Sequence, residues 1–274
     1  MKSPLSKYVE SGKRESKRML SWKPFALSVA VLLILFPFVY LVLLSLSSEW
    51  RFPDLLPSYF GLKNWATILG SEAGLLESFV SSLLISLSVA IVSTTSGFLI
   101  SRAVFYHPKK NTLTLLAYFP YILAPVVFAA CLSFFFLKMG LFGNITGVIV
   151  AQFIIAFPYA LLFFSSFWNK KIKSYEDLVA TLGGNRWQTF IKVLFPLAKG
   201  LILICFFQTF LISWFEYGLT SIIGIGKVQT LTIKVFLFIK EANYYYGALS
   251  CCLLIFPPVV LLYLNKRYVF KKLV

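Results

Sequence analysis

The stretch YEDLVATLGGNRWQTFIKVLFPLAK, residues 175–199, is a polar segment that lies between two long apolar segments. It begins with two carboxylates, Glu176 and Asp177, and contains the glycine pair Gly183 and Gly184. A membrane protein that only reversed direction here would need a few loop residues, whereas this segment is long enough for two short helices joined at the glycines. We interpret it as a docking surface for a soluble partner on one side of a membrane.

The apolar segments that flank this stretch identify a membrane protein. The 274 residues are 59% hydrophobic and 13% charged, with a mean hydropathy of +0.82, whereas a soluble domain carries about 25% charged residues. An apolar run of about 20 residues spans the bilayer core, and it must be helical because lipid cannot satisfy free backbone groups. The sequence has six such runs, at 24–47, 79–101, 113–137, 146–168, 200–224 and 245–264.

These runs predict an all-α membrane protein with six transmembrane helices between residues 24 and 264. The first run is too long for the core of a signal peptide, and no small-residue cleavage site follows it. We therefore predict that the first helix is retained as a membrane anchor.

The distribution of positive charge predicts the orientation. Six crossings place both termini on one side, which carries 20 of the 26 Lys and Arg residues. Cytoplasmic segments are enriched in these residues, so this side is predicted to be cytoplasmic. It carries basic tails at 1–23 and 265–274 and a cytoplasmic segment at 174–197, which contains most of the polar stretch. Topology thus accounts for most of the net charge of +16. Without a basic soluble domain, the charge indicates contact with the lipid membrane and no nucleic-acid partner.

The first half of the polar segment predicts a short helix over residues 176–182. Ser174 is a suitable N-cap, and the carboxylates at 176 and 177 suit a first helical turn. Gly183 and Gly184 then permit a sharp turn through the left-handed region.

The second half predicts another helix, which Asn185 caps and Pro196 ends. Its apolar residues recur at spacings of three and four and form a stripe: Trp187, Phe190, Ile191 and Leu194. Such a stripe suits insertion into a groove on a partner protein. It suits equally well packing on the chain's own helix ends, and the periodicity does not choose between the two.

The pattern of this segment resembles the EAA motif of permease subunits of binding-protein-dependent ABC importers. The matching residues are Glu176-Asp177-Leu178-Val179, Thr181-Leu182-Gly183, Trp187, Thr189-Phe190, Val193 and Pro196-Leu197. The family usually has Glu-Ala-Ala where this chain has Asp177-Leu178-Val179, so the charge is kept but the side chains are bulkier. The resemblance assigns coupling to an ATPase to Glu176, Asp177, Thr181, Leu182, Gly183, Gly184, Trp187, Phe190 and Pro196.

The resemblance implies a type I ABC importer permease architecture, with two ATP-binding subunits, a second permease subunit and an extracytoplasmic solute-binding protein as partners. It implies a multi-pass protein of the bacterial cytoplasmic (inner) membrane that imports a small polar solute. The sequence contains no G-x-x-x-x-G-K-[ST] loop. ATP and Mg²⁺ are therefore expected in the partner ATPase, and the chain itself is expected to be neither an enzyme nor a cofactor-binding subunit.

Polar residues inside the spans are candidates for the translocation pathway. They are Gln152, Gln208, Ser213 and Glu216. The two glutamines can equally form hydrogen bonds between helices. Glu216 can contact a solute, pair with Lys227 or Lys234, or cap a broken helix.

Two prolines, Pro120 and Pro125, fall within the third run and predict a kink. The kink can belong to a gate or be a static packing feature. No metal site is predicted, because the only histidine, His107, lies in a loop and has no cysteine at ligand spacing. A self-contained secondary transporter or channel is the alternative function, but it would need an internal repeat or intramembrane charge pairs.

Overall fold

A computed structural model describes residues 4–49, 59–61, 63–66 and 74–268 of the chain. The helices are α1 (Pro4–Ser45), α2 (Lys63–Ala66), α3 (Leu75–Tyr106), α4 (Lys110–Ala117), α5 (Pro125–Lys138), α6 (Ile145–Ser165), α7 (Lys170–Thr181), α8 (Arg186–Thr189), α9 (Phe195–Trp214), α10 (Gly218–Ile223), α11 (Leu231–Lys240) and α12 (Tyr244–Tyr268). A 3₁₀ turn, Phe119–Tyr121, follows α4, and a π-helical turn, Phe190–Leu194, joins α8 to α9. Two short antiparallel strands, β1 (Ser47–Glu49) and β2 (Tyr59–Phe60), pair Ser47 with Phe60.

Within the described residues, five helices are long and apolar enough to cross a membrane, and a bent helix pair brings the number to six if it is one crossing. The five are Pro24–Ser45, Leu75–Tyr106, Ile145–Ser165, Arg186–Trp214 and Tyr244–Lys266. The helical membrane fold predicted from the apolar runs is therefore confirmed. The predicted tail at 1–23 differs locally, because helix α1 already begins at Pro4, and residues 1–3 and 269–274 of the two tails lie outside the described residues.

The third predicted span, 113–137, is wrong as a single helix. Its two halves, Lys110–Tyr121 and Pro125–Lys138, meet at an angle of 97°. Pro125 begins α5, and the preceding Ala124 has an extended backbone with φ −62° and ψ 141°. A residue before proline is driven out of the helical region by the proline ring, so the helix cannot continue through this point. The kink expected from the two prolines is thus a complete break.

The fifth predicted span, 200–224, is wrong at both ends. The helix runs without interruption from Arg186 to Trp214, and a separate helix, α10, begins at Gly218. Pro196 was expected to end the preceding helix, but it lies in the first turn of α9 instead. A π-helical turn lets the helix continue past Pro196. In this turn the Phe195 N–H donates to the Phe190 carbonyl.

Helix α3 packs closely against α6 because both helices have small residues at the crossing. A Cβ placed on Gly97 would lie 2.5 Å from the Cβ of Ala160, so only glycine fits there. Small residues at such a crossing let two membrane helices approach closely. Next to it, the ring of Phe98 lies 5.1 Å from that of Phe164 and 5.4 Å from that of Trp168. These three rings belong to an aromatic cluster, which we define as the buried core formed by Phe98, Phe164, Trp168 and the residues packed on them. The cluster lies at the end of the bundle that carries α7 and α8.

Candidate docking surface and buried polar network

Helix α7 begins earlier than the sequence predicted. Its N-cap is Asn169, whose side-chain oxygen accepts a hydrogen bond from the Ile172 N–H at 3.1 Å. Ser174, the predicted N-cap, lies inside the helix and donates to the Lys170 carbonyl at 3.0 Å. Asn169 directly follows the buried Trp168, so the helix starts where the chain leaves the core. The carboxylates of Glu176 and Asp177 therefore lie beyond the first turn of α7.

The carboxylate of Glu176 ties α7 to the end of α3. One oxygen accepts from Arg102 Nε at 2.9 Å, and the other accepts from the hydroxyl of Tyr106. The Glu176 side chain is only 12% exposed, whereas the neighbouring Asp177 is exposed. Arg102 and Tyr106 were not predicted, because no local pattern links them to Glu176, which lies 74 and 70 residues further along the chain.

The turn between α7 and α8 is a Schellman motif built on the glycine pair. Gly183 has φ +78°, a left-handed conformation that glycine adopts without a Cβ penalty. The Gly183 N–H donates to the Ala180 carbonyl at 3.1 Å, and the Gly184 N–H donates to the Val179 carbonyl at 2.9 Å. A Cβ on Gly184 would lie 2.4 Å from Cγ1 of Val179. The predicted glycine turn is confirmed. Gly183 is required by its left-handed backbone, and Gly184 is required because a side chain there would clash with Val179.

Helix α8 begins with a capping box. The Asn185 side chain accepts from the Gln188 N–H at 2.8 Å, and the Gln188 side chain accepts from the Asn185 N–H at 3.0 Å. These reciprocal bonds satisfy two donors at the helix start. The predicted cap at Asn185 is confirmed. The corner formed by α7, the glycines and α8 is thus fixed at both of its helix ends.

Three large apolar side chains on this corner face outward. Leu182 is 79% exposed and Trp187 is 69% exposed, and Leu178 is also mostly exposed. We call these three residues the docking surface. Leu178 was noted in the sequence for its bulk, but it was not among the predicted coupling residues.

The sequence left open whether the predicted apolar stripe contacts a partner or packs on the chain's own helices. One end of the stripe is exposed, and the other end is buried. Trp187 points outward, whereas Leu194 is fully buried in the aromatic cluster. Phe190 lies between them, with its ring 6.2 Å from Trp187 and 6.0 Å from Phe98. The stripe therefore packs on the chain's own helices at one end and presents an exposed aromatic ring at the other. Of the other predicted coupling residues, Thr181 and Pro196 are exposed.

Two of the pathway candidates, Gln152 and Ser213, belong to a buried hydrogen-bond network instead of an open cavity. The Gln152 side chain donates to the Thr220 hydroxyl at 2.9 Å and accepts from the Ser213 hydroxyl. Ser213 Oγ also lies 3.2 Å from Ser86 Oγ. These residues join α3, α6, α9 and α10, and Gln152 is almost fully buried. Within one chain they stabilise the helix packing.

The carboxylate of Glu216 caps helix α10. It accepts from the Leu219 N–H at 2.6 Å and from the Thr220 N–H and hydroxyl at 3.0 Å and 2.7 Å. Neither Lys227 nor Lys234 forms an ion pair with it in the part of the chain that the structure describes. Of the three roles left open by the sequence, capping of a broken helix is the one that these contacts support.

Gln208 has no hydrogen-bond partner in the part of the chain that the structure describes. Its side chain is half-buried on α9 and forms no hydrogen bond with any described residue. The neighbouring Thr209, in contrast, is fully buried and lies 3.1 Å from the hydroxyl of Thr94. Among the described residues, no group of three histidine, cysteine or acidic side chains lies close enough to hold a metal ion.

Breaking the contact between Arg102 and Glu176 should weaken the attachment of α7 to α3 and lower the stability of the chain. We expect Arg102→Gln and Glu176→Gln each to lower the melting temperature, and the double variant to lose less than the two changes added together. The coupling energy should be about 0.5–1 kcal/mol, because Arg102 is 36% exposed and partly screened by solvent. Thermal unfolding of the purified chain measures it. Arg186→Gln is the matched control, and it should add to Glu176→Gln without coupling.

Removing the cap of α10 should destabilise the chain. We expect Glu216→Ala to cost about 0.5–2 kcal/mol of stability, because Leu219 and Thr220 lose the acceptor of their N–H groups. Glu241→Ala changes an exposed carboxylate at the end of α11 and should have little effect. An unchanged melting temperature for Glu216→Ala, together with altered solute uptake, would show that the carboxylate faces the solute instead.

Comparison with known proteins places the chain among transport proteins. The family described as "Binding-protein-dependent transport system inner membrane component" matches residues 66–274. The Inner membrane ABC transporter permease protein YcjP of Escherichia coli (strain K12) is 24% identical over 93% of this chain and 95% of its own length. The Diacetylchitobiose uptake system permease protein NgcG of Streptomyces coelicolor is 22% identical over 84% of this chain and 79% of its own length.

A solved structure shows the same fold. A chain from the crystal structure of a bacterial ABC transporter involved in the import of the acidic polysaccharide alginate superimposes with a TM-score of 0.69. The alignment covers 93% of this chain and 98% of that chain, at 15% sequence identity. At this identity, the likeness shows the arrangement of helices and carries nothing about the solute.

Proposed function

The chain belongs to the family of binding-protein-dependent transport system inner membrane components, and from this membership we propose how its residues connect an ATPase to solute import. It is a permease subunit of an ABC importer. We infer that the docking surface, Leu178, Leu182 and Trp187, inserts into a groove on an ATP-binding subunit. The observation that carries this proposal is the exposure of these apolar side chains on a corner that is held in place at both helix ends.

The fixed corner is connected to the membrane helices in two ways, so a displacement of the corner would move those helices. One route is the uninterrupted helix from Arg186 to Trp214, which continues from the corner across the membrane. The other is the contact of Glu176 with Arg102 and Tyr106, which joins α7 to the end of α3. A displacement of the ATP-binding subunit would therefore move two membrane helices together. In this proposal Glu176 positions the corner, whereas the docking surface makes the contact.

We propose that the translocation pathway lies between this chain and a second permease subunit, of the same or a related kind. Gln152 and Ser213 are already engaged in hydrogen bonds inside the chain. Gln208, in contrast, has an amide with no described partner. An unpaired amide facing lipid is costly, so this side chain is expected to face the second subunit or the pathway between them.

ATP and Mg²⁺ are assigned to two partner ATP-binding subunits, since the sequence has no phosphate-binding G-x-x-x-x-G-K-[ST] loop. An extracytoplasmic solute-binding protein would deliver the solute, and the assembly would lie in the cytoplasmic membrane of a bacterium. One relative is named for diacetylchitobiose uptake, and another, from Helicosporidium, is named as a probable sulfate transport permease. These are chemically different solutes, so the proposal goes no further than a small polar solute.

Co-purification tests the proposed function. The chain, tagged and expressed in its native membrane, is solubilised in mild detergent, and the proteins that accompany it are identified. We expect a stoichiometric subunit that contains a G-x-x-x-x-G-K-[ST] loop and hydrolyses ATP. A chain that purifies alone and transports solute after reconstitution would contradict the proposal and favour a self-contained secondary transporter.

A further inference from the structure

The connection between α10 and α11 contains a strained turn at residues 224–227, which we call the outer turn. It lies at the end of the bundle opposite to the docking surface, on the side that the charge distribution predicts to be outside the cytoplasm. The Lys227 N–H donates to the Gly224 carbonyl at 2.9 Å, and φ is +46° at Ile225 and +69° at Gly226. This is the pattern of a type I′ turn, whose first central position favours Asn, Asp or Gly.

Ile225 is an unfavourable residue for the outer turn, because a β-branched side chain crowds the backbone in the left-handed region. Ala242 is the other described residue besides glycine that has a positive φ, and it has a local reason. It ends α11 in a Schellman motif, in which the Ala242 N–H donates to the Ile239 carbonyl at 3.1 Å and the Asn243 N–H donates to the Phe238 carbonyl at 2.8 Å. The isoleucine has no comparable local role, since asparagine would form the outer turn better.

The surrounding structure holds the outer turn in this conformation. The Gly143 N–H donates to the Ile223 carbonyl at 2.8 Å, which ties the end of α10 to the connection between α5 and α6. A Cβ on Gly224 would lie 2.6 Å from the Thr220 carbonyl oxygen, so the first residue of the turn has no room for a side chain. Backbone strain that neighbouring contacts maintain in this way occurs mainly at functional positions.

The Ile225 side chain contributes little to the core of the chain. It is 50% exposed, and its Cδ1 lies 3.4 Å from the position of a Cβ on Gly143. Lys227 lies beside it over the same glycine, is exposed, and forms no ion pair with any described residue. Gly226 is also exposed, so the turn presents polar backbone groups together with the apolar side chain. Lipid cannot satisfy such backbone groups, which favours a protein surface in water as the partner.

We propose that the outer turn is a contact site for the extracytoplasmic solute-binding protein, with Ile225 as an apolar anchor and Lys227 as its charged neighbour. The inference rests on the proposed function, which includes such a protein. The matching face of the partner has an apolar pocket with an acidic rim, because these groups complement an isoleucine beside an ammonium group. The strain at Ile225 is retained because Asn-Gly, the sequence that forms this turn best, lacks the anchor.

The variant Ile225→Asn tests the proposal, because it separates folding from contact. We expect the melting temperature to stay equal or to rise by up to about 4 °C, since asparagine suits the turn. The full assembly in lipid nanodiscs should keep its basal ATP hydrolysis. The solute-binding protein encoded beside this chain and purified from the same cells should bind the variant assembly about tenfold more weakly.

Ala242→Asn is the matched control, because it relieves the same kind of strain at the end of α11 and should leave this affinity unchanged. An unchanged affinity in Ile225→Asn, or an equal loss in both variants, would overturn the contact site and leave the proposed function standing. An assembly without an ATP-binding subunit would overturn the proposed function, and the contact site with it.

Photo-crosslinking replaces the affinity measurement should Ile225→Asn fail to fold. A photoreactive residue at position 225 of the assembly in native membranes should form a crosslink to the solute-binding protein. The same residue at the control position 242 should not. A crosslink from position 225 only to a second permease chain, or only to lipid, would contradict the proposal.

Discussion

The double variant Leu182→Asp, Trp187→Ala should abolish ATP-driven uptake while the permease subunit remains folded. Both side chains are mostly exposed, at 79% and 69%, so their replacement removes little packing from the chain itself. In an interface, a buried aromatic anchor typically accounts for about 2–4 kcal/mol, and a carboxylate placed in an apolar groove adds a desolvation cost. The affinity for the ATP-binding subunit should therefore fall by at least about 100-fold.

Two measurements separate this effect from unfolding. The melting temperature of the variant should match that of the parent chain, whereas binding of the ATP-binding subunit should be lost in a pull-down from reconstituted membranes. Lys171→Asp with Lys173→Ala is the matched control, because both residues are exposed on α7 but lie outside the docking surface. Normal uptake by the Leu182 and Trp187 variant would show that the partner docks elsewhere.

The largest loss of stability is expected from Gly97→Val. The new side chain would meet the Ala160 Cβ at 2.5 Å and the Ala160 backbone carbon at 3.0 Å. Backbone atoms of a packed helix cannot move aside as a flexible side chain can, so α3 and α6 must separate. Overpacking alone costs about 1–3 kcal/mol, and separation also opens the buried contacts of the adjacent Phe98. We expect little or no folded subunit in detergent.

Gly200→Val is the matched control for this prediction. Gly200 also lies in a membrane helix, but nothing is within 4 Å of a Cβ placed there. The same substitution should therefore leave a folded subunit, as measured by size-exclusion chromatography and thermal unfolding. Equal losses at both positions would mean that valine lowers stability through helix propensity and not through the crossing. Replacing Ala160 by glycine should partly rescue a milder Gly97→Ala variant, since the two residues share one contact.

The sequence predicted two local features of the polar segment correctly, the glycine turn and the cap of its second helix. The turn at Gly183 and the cap at Asn185 depend on hydrogen bonds between residues that are close in the sequence, so the local sequence is enough to predict them. The helical membrane fold was also predictable, because lipid requires long apolar helices, although the third and fifth spans were wrong in detail. The proline at 125 gave the correct position of a bend, but its angle depends on how the two helix halves pack on the rest of the bundle.

The features that the sequence did not predict depend on distant contacts. Glu176 pairs with Arg102 from another helix, and Ser213 reaches Ser86 and Gln152 on two others. No local pattern specifies these partners. Pro196 was read as a helix stop because proline removes a helical donor, but a π-helical turn lets the helix continue. The same periodicity that grouped Trp187 with Leu194 could not tell that one is exposed and the other buried.

Site-specific photo-crosslinking from position 182 tests the central claim most directly. A photoreactive residue replaces Leu182 in the full assembly in native membranes, and the crosslinked protein is identified by mass spectrometry. The same residue at Leu137, which is exposed at the end of α5, is the control. We predict a crosslink from position 182, and none from position 137, to a subunit with a G-x-x-x-x-G-K-[ST] loop. A crosslink from position 182 to lipid or to another permease chain alone would contradict the docking of this corner on an ATPase.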